Sequence, residues 1–380
     1  MPTAATFFVP CLSVLAALFL LPFAMNAQER TDSKLLTGTI DTIVRKQMQT
    51  HKIPALSISV MRNGKTVFSR AYGWADLENQ TRAARDTLYR IGSITKPITS
   101  TAAMVLSQQG RLNLDAPIQD YCPAFPQKPW TLTTRQLLSH LSGIRNFRAA
   151  PGAVPELFSD IHYASITDSL AIFADDPLIA TPGTKFEPSN YGYDVVGCVL
   201  EGATKKPFSD LLQELVFKPA GMVATRTDDV FEIIPHRSRS YSPASNGNIQ
   251  NARSTDTSNK VPGGGLLSTA DDLTRFAMTL ESGRLLDPAL IQQMWTPQFT
   301  TDATPTNYGL GWMIRSYEGV QVVAHTGEQP GASSILYLIP SRKLAFAVLT
   351  NVDAAGLWKL ADQLVGVLTH PDKKSPVKGR

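Results

Sequence analysis

The sequence predicts an α+β protein: an antiparallel β-sheet flanked by N- and C-terminal helices, with an inserted, mostly helical domain between the two halves of the sheet. Two observations predict it. Strand-like alternating segments lie near both ends of the 380-residue chain, and helix-periodic segments fill the middle. A sheet assembled from both ends must be closed by both termini.

The elements follow in order. Leu36, Ile40, Ile43, Val44 and Met48 keep the three-four spacing of an amphipathic helix. Ala55–Met61 and Thr66–Tyr72 alternate on either side of Asn63-Gly64, the signature of a hairpin with a tight turn. From about Ile94 to Arg284 helical patterns dominate, at Thr101–Gln109, Thr133–His140, Ile166–Phe173, Tyr191–Glu201 and Phe208–Phe217. Ser242–Gly265 is rich in Ser, Asn, Thr and Gly and reads as a long surface loop of the kind that borders sites. Strand-like segments then recur at Tyr308–Tyr317, Val320–His325, Ser333–Ile339 and Lys343–Thr350, ahead of an apolar-periodic helix over Ala355–Leu368. The expected organisation is one catalytic domain over 35–370, with sheet parts 35–93 and 285–370 and a helical part 94–284.

Charge narrows the function classes. The chain carries 36 Lys+Arg and 32 Asp+Glu. The basic tail 371–380 holds four of the cations and one acid, so the body is near +1 and nucleic-acid binding is disfavoured. The first 27 residues contain no charged side chain, and an apolar run from Val14 to Phe23 leads to Ala24-Met25-Asn26-Ala27. This is the shape of a secretory signal peptide cleaved after Ala27, which implies an exported, periplasmic or secreted protein without stable membrane insertion afterwards. A retained N-terminal anchor is the alternative, although the run is short for a membrane span of about 20 residues. Removal of the segment takes Cys11 and leaves Cys122 and Cys198, which an exported chain could pair.

Three motifs carry chemistry. Ser93-Ile94-Thr95-Lys96 opens a helix, so Ser93 and Lys96 share one face and the amine can reach the hydroxyl oxygen. The competing interpretation is a plain helix N-cap, and Ser375-Pro376-Val377-Lys378 shows that the spacing alone proves little. His325-Thr326-Gly327, followed by Glu328, ends a strand whose edge can offer backbone N–H groups to a substrate carbonyl, or is simply a strand-to-turn transition. Asn190, in Pro188-Ser189-Asn190-Tyr191, is a candidate amide contact at a helix start, where Ser189 or Asn190 could equally serve as a cap. No HExxH, GxSxG, P-loop or GxGxxG is present.

Taken in order, these motifs, together with Leu138–Arg145, Gly263–Thr269, Met294–Pro297 and Gly331–Ser334, resemble the serine β-lactamase-like family. That family includes class C β-lactamases, D-Ala-D-Ala carboxypeptidases and esterases, and the wording is closest to its mitochondrial serine β-lactamase-like branch. The resemblance spans about 36–369 and implies a β-lactamase/transpeptidase-like fold with the site between sheet and helical part. It implies Ser93 as acylated nucleophile and Lys96 as its proton partner. Asn190, His325, Thr326 and Gly327 become substrate contacts, with the N–H groups of Ser93 and Glu328 as oxyanion hole.

The expected protein is thus a serine hydrolase opening an amide or ester (a β-lactam, a D-Ala-D-Ala-type peptide or a small ester) through an acyl-Ser93 intermediate. It needs no metal or organic cofactor, its partner is a small-molecule or peptide substrate, and no motif bears on oligomeric state. One position departs from the family pattern: Pro188 stands where a tyrosine is usual, and proline has no titratable group. Lys96 or His325 would then act as base, and substitution by Tyr191 or Tyr193 is disfavoured because a helix turns them to other faces. The alternative is a catalytically impaired module that binds penicillin-like or peptidoglycan-type peptides.

Overall fold

The computed structural model of the chain describes residues 35–370 except Ala150 and Gly152, together with Met1. The apolar run Val14–Phe23, the cleavage position at Ala27 and the tail 371–380 lie outside the described residues. The described residues divide into two compact units, 47–358 and the terminal pieces 35–46 with 359–370. The terminal pieces hold most of helix α1 (35–50) and helix α7 (Leu357–Thr369). Each is amphipathic as its spacing requires: Ile40 and Val44 in α1, and Leu360, Leu364 and Leu368 in α7, are buried. No helix among the described residues is long and apolar enough to cross a membrane.

The larger unit is built on a seven-stranded antiparallel sheet. In chain order its strands are β1 (Ala55–Arg62), β2 (Lys65–Asp76), β3 (Thr81–Arg82), β4 (Met313–Tyr317), β5 (Val320–Gln329), β6 (Ala332–Ile339) and β7 (Leu344–Thr350). The spatial order is β3-β2-β1-β7-β6-β5-β4. Pairing of β1 with β7, with Val60 opposite Phe346, joins the N-terminal hairpin to the C-terminal strands, so one sheet is closed from both ends of the chain. β1 alternates in sequence but not in exposure, since both of its faces are covered. Ser57 donates to the Tyr89 hydroxyl at 3.0 Å, and the Ser59 hydroxyl pairs with that of Thr274 at 3.0 Å on helix α6 (Ala270–Glu281). A polar residue in this strand therefore marks a second packed layer rather than solvent.

The inserted region holds helices α2 (Thr95–Gln108), α3 (Thr134–Leu138), α4 (Asn190–Thr204) and α5 (Val261–Gly264). Cys122 and Cys198 are disulfide-bonded, with Cα atoms 5.5 Å apart across 76 positions, tying the turn at 118–122 to α4. Removing the link, by Cys198→Ala or by reduction, is expected to lower stability by about 2–5 kcal/mol, read as a drop in the urea midpoint.

The helix expected from Thr101 begins earlier, at Thr95, while three other expected segments are shortened. The segment Tyr308–Tyr317 is a strand only from Met313, because Gly311 turns the chain at φ +83°. The helices expected over Thr133–His140 and Ile166–Phe173 stop at Leu138 and Leu170, the first because His140 adopts φ +60°. The largest correction concerns Ser242–Gly265. Its first half is a small hairpin (Tyr241–Pro243 with Ile249–Asn251), while Thr255–Gly265 is mostly buried and contains α5. Its polar groups bond internally: the Arg90 guanidinium donates to Thr255 Oγ1 at 2.8 Å, and Asn259 Nδ2 to the Glu156 carbonyl at 3.1 Å. Polar composition suggests exposure only where such groups lack internal partners.

Candidate active site

Ser93 sits in a 3₁₀ turn (Gly92–Ile94) that runs into α2, and Lys96 lies in the first turn of α2. The two residues do share one face, and Lys96 Nζ is 2.8 Å from Ser93 Oγ. The same nitrogen reaches Asn190 Oδ1 at 2.6 Å and the Gly263 carbonyl at 2.9 Å. Lys96 is only 4% exposed. Burial drives its amine down to about 7, against an opposing pull from the Asp194 carboxyl.

The three partners suit a neutral amine. Asn190 Oδ1 and the Gly263 carbonyl can only accept, so they take the two N–H groups of an uncharged lysine. The remaining lone pair faces Ser93 and can receive its proton. Once protonated, the ammonium donates to all three oxygens, so both states of the proton transfer find partners.

Asn190 is placed by its neighbours rather than by capping. Ser189 is the cap of α4: its hydroxyl accepts from the Gly192 N–H at 2.9 Å and donates to the Arg145 carbonyl at 2.7 Å. Asn190 is left free to turn its amide, and its Nδ2 donates to Asn146 Oδ1 at 3.0 Å, which orients Oδ1 toward Lys96.

The opposite wall is β5. This strand pairs with β4 through Val320–Ala324, so among the described residues His325–Gln329 present one edge without a strand partner. A Cβ on Gly92, whose φ is +49°, would lie 3.1 Å from the Glu328 nitrogen. A Cβ on Gly327 would lie 2.0 Å from the Ile91 carbonyl oxygen. Two glycines therefore let the serine turn and the strand meet backbone to backbone, which brings the Ser93 and Glu328 segments together as an oxyanion hole requires. Thr326 is half-buried in the same stretch, and the Glu328 side chain is exposed, its Oε2 accepting from Ser333 Oγ at 2.7 Å.

His325 does not stand ready as a base. It is buried, its Nδ1 lies 2.6 Å from the Thr326 carbonyl, and its Nε2 lies 2.9 Å from the Tyr308 hydroxyl. A carbonyl cannot donate, so Nδ1 carries the proton and Nε2 accepts from Tyr308. Burial and the nearby Lys96 hold the imidazole down to about 3. The sequence offered His325 as an alternative base to Lys96, and the low-dielectric surroundings speak against that role.

Nor do the neighbouring phenols replace the absent tyrosine. Tyr191 donates to Glu156 Oε2 at 2.9 Å and Tyr193 to the Leu138 carbonyl at 2.9 Å, and burial pushes both phenols well above their usual range. Tyr193 instead lays its ring 5.4 Å from Lys96 Nζ. His140 is buried in the same cluster, 4.9 Å from the Tyr308 ring, and accepts the Ser189 N–H on Nδ1 at 3.2 Å. Pro188 is exposed.

Sequence reasoning therefore named Ser93, Lys96 and Asn190, which the fold brings into direct contact. It missed Asn146, His140, Tyr308 and the Gly263 carbonyl. Only the blocks around His140 and Gly263 carried a signal, as parts of the family resemblance.

A half-exposed serine, a buried amine near neutrality and a backbone-lined strand edge define a serine hydrolase that works through an acyl-enzyme. The chain belongs to the beta-lactamase family, whose model matches residues 40–366. It is similar to the mitochondrial serine beta-lactamase-like protein LACTB of Mus musculus, 27% identical over 400 residues that cover 80% of this chain and 72% of the relative. Among solved structures, D-amino acid amidase from Ochrobactrum anthropi SV3 superimposes with a TM-score of 0.75 at 24% identity, covering 90% of this chain and 100% of the other. D-stereospecific amidohydrolase from Streptomyces sp. gives a TM-score of 0.72 at 25% identity, covering 88% and 97%. These comparisons lend no support to the impaired-module alternative.

Proposed function

We propose that the chain hydrolyses small amides or esters of amino acids, with preference for a substrate that carries a free ammonium. The contact of Lys96 Nζ with Ser93 Oγ at 2.8 Å carries the reaction class. The amine takes the Ser93 proton as Oγ attacks the carbonyl carbon, and the oxyanion accepts the N–H groups of Ser93 and Glu328. The C–N or C–O bond then breaks, and the leaving group takes the proton from the Lys96 ammonium. Water, giving its proton to the free amine, opens the acyl ester and restores Ser93.

Two observations support the substrate class. Glu328 forms no ion pair with the described residues, and its carboxylate, which accepts from Ser333 Oγ at 2.7 Å and from the Ala354 N–H at 3.3 Å, favours an ammonium over a C-terminal carboxylate in a substrate docking along this strand. The structural neighbours named above are an amidase and an amidohydrolase of D-configured compounds. The deciding measurement is intact mass and product release with D-phenylalanine amide, acetyl-D-Ala-D-Ala and a fluorescent penicillin, using Ser93→Ala as control. An acyl adduct or turnover that Ser93→Ala abolishes, strongest for the amide, is expected. Turnover that survives Ser93→Ala would end the reading.

Export is part of the proposal. The signal-like segment supports it, as does the buried Cys122–Cys198 bond, a linkage that persists in oxidising compartments. N-terminal sequencing of the protein from its native host would show the chain starting at Gln28.

Pro188→Tyr places a phenol at an exposed position two residues before Asn190. Deacylation is expected to rise by about tenfold or more if proton shuttling limits it. An unchanged adduct lifetime in a folded variant would show that the phenol is not the deficit.

A further inference from the structure

Asp194 poses a chemical problem that the mechanism above leaves unused. It lies on α4 one turn beyond Asn190, is 0% exposed, and both of its carboxyl oxygens lack a hydrogen-bond partner among the described residues. A carboxylate buried in this way is costly unless opposite charge lies close by. Two buried amines act on it through space without forming an ion pair with it. Lys96 lies on α2, and Lys260 lies one residue before α5, the helix whose Gly263 carbonyl holds Lys96. Lys260 is itself 2% exposed, with Asn259 Oδ1 at 3.1 Å, the Leu157 carbonyl at 3.3 Å and the Phe147 ring at 5.6 Å around its amine.

We propose that Asp194 and Lys260 act as a buried counter-charge couple for the catalytic lysine. Asp194 stabilises the ammonium that Lys96 becomes when it takes the Ser93 proton, and Lys260 keeps Asp194 ionised while Lys96 is neutral. Both are positioning residues, since neither touches Ser93. The proposal rests on the acyl-Ser93 reading and adds the electrostatic partner that reading lacks.

Burial pushes the Asp194 carboxyl well above its ordinary value, and the opposing pull of Lys260 and Lys96 only partly offsets that rise, so the charge on Asp194 depends on both amines. Burial and Arg90 lower Lys260 to about 8, against Asp194, Asp256 and Asp228, so it stays largely charged at neutral pH. Lys96 feels Asp194 as its one attractive charge, while His140 and His325 face it as neutral rings. Tyr191, on the same helix as Asp194, is pushed further up by that carboxylate and by Glu156, and takes no part in the exchange.

The test is the pH profile of acylation by a chromogenic ester. In the wild-type protein the rate should rise through the titration of Lys96. Asp194→Asn, which keeps shape and volume, makes Lys96 a weaker base: the rising limb should move down by about one pH unit and the plateau should fall. Lys260→Met should move the limb in the same direction, because it acts by letting Asp194 take up a proton. The double variant should match Asp194→Asn alone. A limb that stays in place while the plateau falls would reduce Asp194 to a packing role and overturn the proposal. So would a further shift caused by Lys260→Met in the Asp194→Asn background. If Asp194→Asn does not fold, Lys260→Met alone decides by the same criterion. Absence of any Ser93-dependent acylation in the wild-type protein would instead remove the reading beneath.

Discussion

Lys96→Met is expected to slow acylation of Ser93 by about 10²–10⁴-fold, the range supplied by a positioned general base. The sign of the pH dependence follows from the site. Burial holds the amine down to about 7, so below that pH it is an ammonium and has no lone pair for the Ser93 proton. The wild-type rate should therefore rise with pH through about 7, and the Met variant should lose that limb along with the amplitude. Burst kinetics with a chromogenic ester separate the two readouts. A variant that keeps the limb would transfer the base role to another group, and the nearby imidazoles are poor candidates, since both His140 and His325 are held far below neutrality.

Gly327→Ala should give the second large loss. Its Cβ would stand 2.0 Å from the Ile91 carbonyl oxygen and 2.5 Å from Ser334 Oγ. The hydroxyl can rotate away, but the carbonyl is main chain, so the strand and the serine turn must separate. The oxyanion hole spans that seam, and loss of one of its donors costs about 10²–10³-fold. The expected result is a folded protein, by its circular dichroism and unfolding midpoint, whose acylation rate falls by this factor. A fully active Gly327→Ala protein would show that the Glu328 N–H is not part of the hole. The role of Gly327 is therefore to remove bulk between two backbones, which a reading of it as a substrate contact does not convey.

The fold was legible because the sheet announces itself at both ends of the chain through alternation and the Asn63-Gly64 turn. Ser93 and Lys96 were legible because three residues of helix fix their separation. What escaped depended on tertiary partners. Ser57 and Ser59 look like a solvent face, yet α6 and Tyr89 cover them. Thr255–Gly265 looks like a loop, yet its hydroxyls and amides bond inward. His325 carries no mark in the sequence that its ring is clamped between Thr326 and Tyr308. The Asn146 contact joins positions 44 apart that only the fold brings together.

The Gly263 carbonyl has a consequence for anyone mapping this site by mutagenesis. One of the three groups holding Lys96 belongs to the main chain, so no side-chain replacement removes it, and an alanine scan would pass over it or misattribute it. Gly263→Ala would appear harmful for an unrelated reason, since its Cβ would press on the Asn190 carbonyl at 3.2 Å and on Tyr193 at 3.3 Å. Only an amide-to-ester exchange in the backbone, which weakens that carbonyl as an acceptor without adding an atom to the site, would report its share in holding the lysine.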